Sequence, residues 1–334
     1  MVDVLTQLHL PFALTFDFLT ATGFWTGVGV LAGIYTIFSL GLQLNVGYTG
    51  IVNFGQAGFM AIGAYAMAIL TVKSGWSFWL AMPAAIAITV GVGILVGLPS
   101  LRLRADYFAI ATIAFAEIVR LTAQNARGLT GGNEGLYCEG SRCFDDSWRN
   151  LSDTITGWLQ DLGWSNPEGL APLLLVVWVT ALLLTAALWY AQRTPWGRVL
   201  RAIREDEDAA RALGKNAFAY KLQSLSIAAT LGAIAGFFVA LNLKFVVPDE
   251  FIPIVTFNGY AVLVLGGLAS YWGVAVGSVI LWTVLEALLF LDLPLSETRI
   301  TALRFIIVGL ILIGLMAFRP QGMFGKREEM VLGD

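Results

Sequence analysis

Residues 18–72 carry no Asp, Glu, Lys or Arg, and the same holds for 74–101, 169–192, 222–243 and 251–285. A helix needs about 20 apolar residues to cross a hydrocarbon core of roughly 30 Å. The first and last of these runs are long enough for two passes each, so the chain reads as a polytopic membrane protein. Composition agrees: 57% of residues are hydrophobic and mean hydropathy is +0.76, against about 45–50% apolar residues in soluble domains. Asp3 and Asp17 are the charged side chains ahead of the first run. The N-terminus therefore lacks the basic region of a signal peptide and is expected to be a short, uncleaved lead-in.

Backbone polar groups in lipid must be paired within their own segment, which makes each pass a helix. Hydropathy places about nine segments: 24–44, 48–71, 78–98, 106–124, 170–191, 220–242, 254–268, 273–291 and 300–318. The expected class is an all-α polytopic membrane protein. Lys and Arg in the loops set its orientation. Three basic clusters bear on this: Arg102 with Arg104; Arg193, Arg198, Arg201, Arg204, Arg211, Lys215 and Lys221; and Arg319, Lys326 and Arg327. They share one side if nine passes run from an outer N-terminus to an inner C-terminus. The outer loop, about 125–169, holds seven acids against three arginines. Segments 48–71 and 254–268 read as interrupted, the first opening in "NVGYTGIVNFGQAGF" and the second ending in "GGLASYWG". Residues 45–66 and 258–279 both run Asn, Gly, Tyr and then small apolar residues, which suggests an inverted internal repeat. Paired, glycine-interrupted segments mark the substrate path in repeat-built transporters.

One stretch departs from the apolar pattern. "RTPWGRVLRAIREDEDAARALGKNAF" (193–218) has arginines every few residues and four consecutive acids, Glu205, Asp206, Glu207 and Asp208. Pro195 and Gly197 at its start and Gly214 at its end predict a helix over 196–214. Val199, Ala202, Ile203, Asp206, Ala209, Ala210 and Leu213 recur at spacings of three and four and share a face. Arg201, Arg204, Glu205, Asp208 and Arg211 take the other. Charge counting puts the loop, about 192–219, in the cytoplasm. The plainer reading is an amphipathic helix resting on the inner membrane surface. The sharper one is a helix that docks into a groove on a cytoplasmic partner, with small Ala209, Ala210 and Gly214 allowing close approach.

Asp208-Ala209-Ala210-x-x-x-Gly214 resembles the EAA loop of ABC importer permeases, with Asp in place of the usual Glu. Around it stand "LRLRADYFAIATIAFAEIVR" (101–120), "LTGGNEGL" (129–136), "RTPWGRVLRAIREDEDAARALG" (193–214), "VVPDEF" (246–251), "VLVLGGLASYWG" (262–273) and "RPQGMFG" (319–325). In this order they resemble the LivM-type permease of branched-chain and neutral amino-acid importers, over about residues 24–325. The resemblance implies one permease domain spanning 1–334 in the bacterial inner (plasma) membrane. Its partners would be a LivH-like second permease, two cytoplasmic ABC ATPases and an extracytoplasmic substrate-binding protein, with lipid around it and no nucleic acid. It also implies that residues 196–214 form the coupling helix. Gly197, Arg201, Glu205, Asp206, Asp208, Ala209, Ala210, Leu213 and Gly214 would then meet the ATPase.

No GxxxxGK[ST] stretch occurs, so ATP and magnesium are expected on the partner ATPase and no cofactor on this chain. His9 is the single histidine, which excludes His-based metal clusters and a His-dependent triad, and an enzyme is not expected. Glu117 and Arg120 lie three residues apart in the fourth segment, where a charge costs several kcal/mol and usually pairs or faces water. They read either as an intrahelical ion pair or as path lining for a zwitterion. Glu286 and Arg304 raise the same choice, pairing across helices or lying near the outer surface. Asn45, Asn53, Gln56 and Asn258 serve either helix–helix hydrogen bonding or a weakly polar conduit, with Asn53 and Gln56 leaning to the conduit. Cys138 and Cys143, in "CEGSRC" of the outer loop, are spaced for a local disulfide, with two reduced thiols as the alternative. Trp148, Trp158 and Trp164 suit a membrane interface or a receptor dock. The competing functions are a urea or short-amide permease of the same family and an ion-gradient-driven secondary transporter.

Overall fold

The computed structural model describes residues 21–137, 146–163, 170–290, 297–318 and 322–324. The first half contains α1 (Thr22–Leu42), α2 (Gln56–Ala68), α3 (Phe78–Ser100), α4 (Ala105–Asn125), α5 (Arg127–Thr130), β1 (Leu136–Tyr137) and α6 (Asp146–Asp161). The second contains α7 (Ala171–Ala191), α8 (Pro195–Glu205), α9 (Glu207–Ala212), α10 (Ala217–Leu243), β2 (Phe245–Val246), α11 (Ile254–Gly266), α12 (Tyr271–Phe290) and α13 (Glu297–Phe318). Among the described residues six helical stretches, beginning at Thr22, Gln56, Phe78, Ala171, Ala217 and Tyr271, are long and apolar enough to cross a membrane. Helix α11 and residues Ala302–Ile311 of α13 are shorter apolar stretches.

Inside and outside helices differ by which faces are covered. The most apolar part of Thr22–Thr49 is 83% buried, whereas that of Phe78–Ser100 is only 28% buried although it is more apolar. A helix hydrophobic all round belongs in a core or in lipid, and here both cases occur. Helix α10 packs on α1, α2 and α3, and α1 reaches α7, α11 and α12. Small residues set the α2–α10 spacing: a Cβ on Gly63 would collide with Ala233, and one on Gly236 with the Met60 carbonyl oxygen. Where lipid is as apolar as the side chains, close packing of this kind holds helices together.

Both irregular segments are indeed broken, which alters their expected bounds. The first pass continues as a π-helical turn, Gln43–Thr49, to Gly50, left-handed at φ 75. Residues 50–55 are not helical, and α2 starts only at Gln56 rather than at 48. Helix α11 stops at Gly266, with Gly267 at φ 104 and Ala269 at φ 61. Residues 322–324 fold back onto this end, the Met323 and Phe324 amides donating to the Leu265 and Gly266 carbonyls at 3.1 Å each. They satisfy acceptors that a helix C-terminus leaves open.

The loop 125–169 is not bare: it carries α5, β1 and the amphipathic α6, which buries Ile155 and Leu159 against Ala171. Strands β1 and β2 pair antiparallel, Leu136 with Val246 and Tyr137 with Phe245. This joins the words at 129–136 and 246–251. His9, Cys138, Cys143 and Trp164 lie outside the described residues.

Candidate functional site

Residues 195–212 form two helices, not the single helix expected over 196–214. Helix α8 ends because Asp206 turns extended, at φ −151 and ψ 104. Its carboxylate accepts the Ala209 N–H at 2.9 Å, capping α9 at the end where negative charge suits the helix dipole. At the other end Gly214 adopts φ 76. The Gly214 amide bonds the Arg211 carbonyl at 2.9 Å and the Lys215 amide bonds that of Ala210 at 3.1 Å, a Schellman closure. Glu207 fastens α9 sideways, to Arg211 at 2.6 Å and to Lys221 on α10.

The break also redistributes the expected apolar face. Leu200, Ile203 and Ala210 are buried, as is Gly197, where a Cβ would collide with the Gln192 carbonyl. Ala202 and Ala209 point outward with Leu213, which is 80% exposed. Glu205, Asp206, Asp208 and Gly214 are exposed beside them.

Helix α8 rests on the π turn that closes the first pass. Arg204 donates to the Gly47 carbonyl. Arg201 donates through Nη2 to the Gln192 carbonyl at 3.2 Å, and its guanidinium lies 5.7 Å from the Tyr48 ring. Beyond Gly50 the chain enters a buried polar cluster in which Asn45, Asn53 and Gln56 have 0% exposure. Non-helical backbone at membrane depth survives only where protein satisfies it, and here side chains do so. The Gly55 amide bonds Asn53 Oδ1 at 2.8 Å, the Phe54 amide bonds Thr112 Oγ1 at 3.0 Å, and the Ala57 amide bonds Thr256 Oγ1 at 3.1 Å. The Tyr260 hydroxyl donates to the Asn53 carbonyl at 2.9 Å. Asn53 Nδ2 donates to Gln56 Oε1 at 3.3 Å, and Gln56 Nε2 to the Ala228 carbonyl at 2.9 Å. Asn45 Oδ1 accepts from the Ser224 hydroxyl at 2.9 Å.

Asn53 and Gln56 thus meet, whereas Asn258 sits apart, facing the Tyr35 hydroxyl on α1. Glu117 and Arg120 form an ion pair within α4, with an Arg120 Nε–Glu117 Oε2 hydrogen bond of 3.0 Å. Arg120 also stands 3.6 Å from Asp249, which accepts from Gln124 at 3.2 Å. Beside them, partial burial and the Asp249 charge push the Glu250 carboxyl above the usual carboxylate value. Glu286 and Arg304 pair across α12 and α13 at 2.8 Å.

Several supporting residues escaped sequence reading. Thr112, Thr256 and Tyr260 are hydroxyls in apolar helices, and nothing local separates them from ordinary packing. Glu207 looked like one acid among four. The Asp206 cap had a signal, since Asp followed by Glu-Asp-Ala-Ala is a helix start, but unbroken helical periodicity ran across it.

A profile of the family described as branched-chain amino acid transport system, permease component, matches residues 25–316. The chain is 33% identical over 325 residues to the high-affinity branched-chain amino acid transport system permease protein LivM of Escherichia coli strain K12, covering 94% of this chain and 73% of that protein. It is 26% identical to the probable branched-chain amino acid transport permease protein LivM of Methanocaldococcus jannaschii, covering 88% and 91%. The autoinducer 2 import system permease protein LsrC of Yersinia pseudotuberculosis is 26% identical over 69% of each chain. No solved structure matches.

Proposed function

The chain belongs to the family of branched-chain amino acid transport permease components, and on that premise we propose how its α8–α9 segment drives transport. ATP and magnesium bind a separate ATPase, whose closure moves α9. Helix α8 relays the movement to the π turn and to the interruption at residues 50–55. One observation carries this reading: α9 is capped at both ends, clasped to α10 through Glu207–Lys221, and presents Ala209 and Leu213 outward. A helix held this firmly acts as a lever, and its uncovered apolar end suits a protein cleft.

The assembly we infer has a LivH-like second permease, two ATPases and an extracytoplasmic receptor around this chain in the bacterial inner membrane. Nine passes run from an outer N-terminus to an inner C-terminus. Exposed aromatics support that alternation of passes: Trp25, Trp76 and Trp79 fall at one set of helix ends and Tyr107, Tyr190 and Trp272 at the other, as belts at both interfaces require. An inverted repeat would relate the two interrupted segments, which share a positive-φ glycine at the break, Gly50 and Gly267. Neutral and branched-chain amino acids are the cargo. Asn53 and Gln56 form the centre of the path, closed in this conformation, with Asn258, Glu117 and Arg120 toward its outer end. Cys138 and Cys143 form a disulfide, checked by mass spectrometry after alkylation without reductant.

The deciding experiment is purification from native membrane followed by uptake in vesicles. A co-eluting ATPase and second permease, with ATP-dependent uptake of labelled leucine, are expected. Uptake of urea in place of leucine would reassign the cargo. Gradient-driven uptake by this chain alone would overturn the reading.

A further inference from the structure

On the α8 side of the membrane domain, a polar cavity of about 290 Å³ opens between the end of α7, the start of α12 and α8. Tyr48, Gln192, Arg193, Arg201 and Ser270 supply its polar wall, and among the described residues no carboxylate lines it. Two guanidinium groups therefore share one small space, and among the described residues neither is in an ion pair. Arg193 lies over Trp189, 3.5 Å from its ring centre, a contact that restrains the guanidinium. Arg201 spends Nη2 on the Gln192 carbonyl, while its Nε is buried without a hydrogen-bond partner. Two pre-positioned planar forks suit a phosphate group, which accepts bidentate bonds from Arg.

The rim says where such a phosphate comes from. Trp272 is 46% exposed at the start of α12. Above it, Leu182 and Leu183 of α7 and Val276 and Ile280 of α12 present uncovered apolar faces. A ligand with a charged head in the cavity could lay hydrocarbon along these helices. Basic pockets between membrane helices on the cytoplasmic side hold phosphorylated headgroups by this combination.

We propose that this cavity binds the phosphate of an anionic phospholipid in the cytoplasmic leaflet, held between Arg193 and Arg201; the choice of leaflet rests on the orientation inferred above. The bound headgroup would touch α8, the end of the π turn at Tyr48 and the linker at Ser270. It would thereby brace the lever against the membrane domain.

The test uses the delipidated full chain in neutral detergent, with phosphatidylglycerol, phosphatidylcholine and inorganic phosphate as probes. Binding is read by native mass spectrometry and by thermal melting. Phosphatidylglycerol should bind and raise the melting temperature, and phosphatidylcholine should not. Arg193→Gln and Arg201→Gln should each weaken phosphatidylglycerol binding about tenfold, as losing one charge-assisted contact implies. Arg104→Gln, on the same side but outside the cavity, should leave binding unchanged. If Arg201→Gln fails to fold, Arg193→Gln still decides, because its side chain lies at the exposed rim. Unchanged binding in Arg193→Gln, or equal binding of both lipids, would overturn the proposal. Saturable binding of inorganic phosphate with no lipid effect would overturn the assignment to a lipid.

Discussion

The chain breaks its helices with one local device in two opposite media. Ahead of α2, the Asn53 side chain accepts the Gly55 amide at 2.8 Å with no exposure to solvent. Ahead of α9, the Asp206 side chain accepts the Ala209 amide at 2.9 Å in full view of water. The buried acceptor is a neutral amide that closes a turn onto Gly55, the residue before α2, and its second half is also used, donating to Gln56. The exposed cap is a carboxylate, which has only acceptors to offer and needs no partner beyond solvent and the helix dipole. The chemistry of the acceptor therefore reports the medium: at membrane depth a charge costs several kcal/mol, while at the surface a carboxylate serves as a good N-cap.

Exchanging the two chemistries gives the largest expected effect. Asn53→Asp removes the donor to Gln56 and places a charge where nothing compensates it, so the loss should reach several kcal/mol. Little folded protein should survive size-exclusion chromatography in detergent. Asp206→Asn keeps an equally good cap and should cost no more than about 0.5 kcal/mol. A wild-type melting curve for Asn53→Asp would show that water reaches the cluster, and the contrast between the two media would collapse.

Next in size are the hydroxyls that support the inner break. Thr112→Val and Thr256→Val keep the shape but leave the Phe54 and Ala57 amides unpaired, at about 1–3 kcal/mol each. Thermal melting should rank both below Asp206→Ala, which loses an exposed cap at about 1 kcal/mol. Equal melting of all three would mean that the backbone of residues 53–57 finds other partners.

These supports mark where sequence reading stops. The long apolar runs and the irregularity of 45–56 and 262–273 were legible, because lipid forces apolar length and glycine clusters interrupt it. The Glu117–Arg120 pair was legible as well, since three residues on a helix is a local distance. Thr112 and Thr256 were not, because their partners lie 58 and 199 residues away. The outward turn of Ala209 and Leu213 was hidden for a different reason. A single extended residue, Asp206, resets the helical phase, and periodicity counted across it assigns the wrong face.

The Glu117–Arg120 pair lies between the two extremes, with side chains 35% and 16% exposed. Glu117→Arg should destabilise on the order of 1 kcal/mol, between the values for exposed and buried pairs. Exchanging both residues should recover only part of that loss, because the carboxylate moved to position 120 would face Asp249, now 3.6 Å from the Arg120 guanidinium. Full recovery of melting would show that Asp249 contributes nothing. Normal expression of the exchanged protein with lost uptake would place the pair in transport.

The smallest expected effect on the fold is also the sharpest probe of the outer break. Ala209 is exposed, so Ala209→Trp should change melting by less than about 0.5 kcal/mol. Gly214 is a poorer probe, since its left-handed φ of 76 makes any substitution cost backbone energy, roughly 1 kcal/mol, on top of the contact. If α9 enters a cleft, the indole introduced by Ala209→Trp holds the surfaces apart: ATPase co-purification weakens and leucine uptake falls while membrane expression stays normal. If α9 instead rests on the membrane surface, an added indole suits the interface, and uptake persists. The two breaks would then differ in more than medium. The inner one is held by partners within the membrane domain, whereas the outer one would be tuned for a separate partner, and unchanged uptake in Ala209→Trp would remove that distinction.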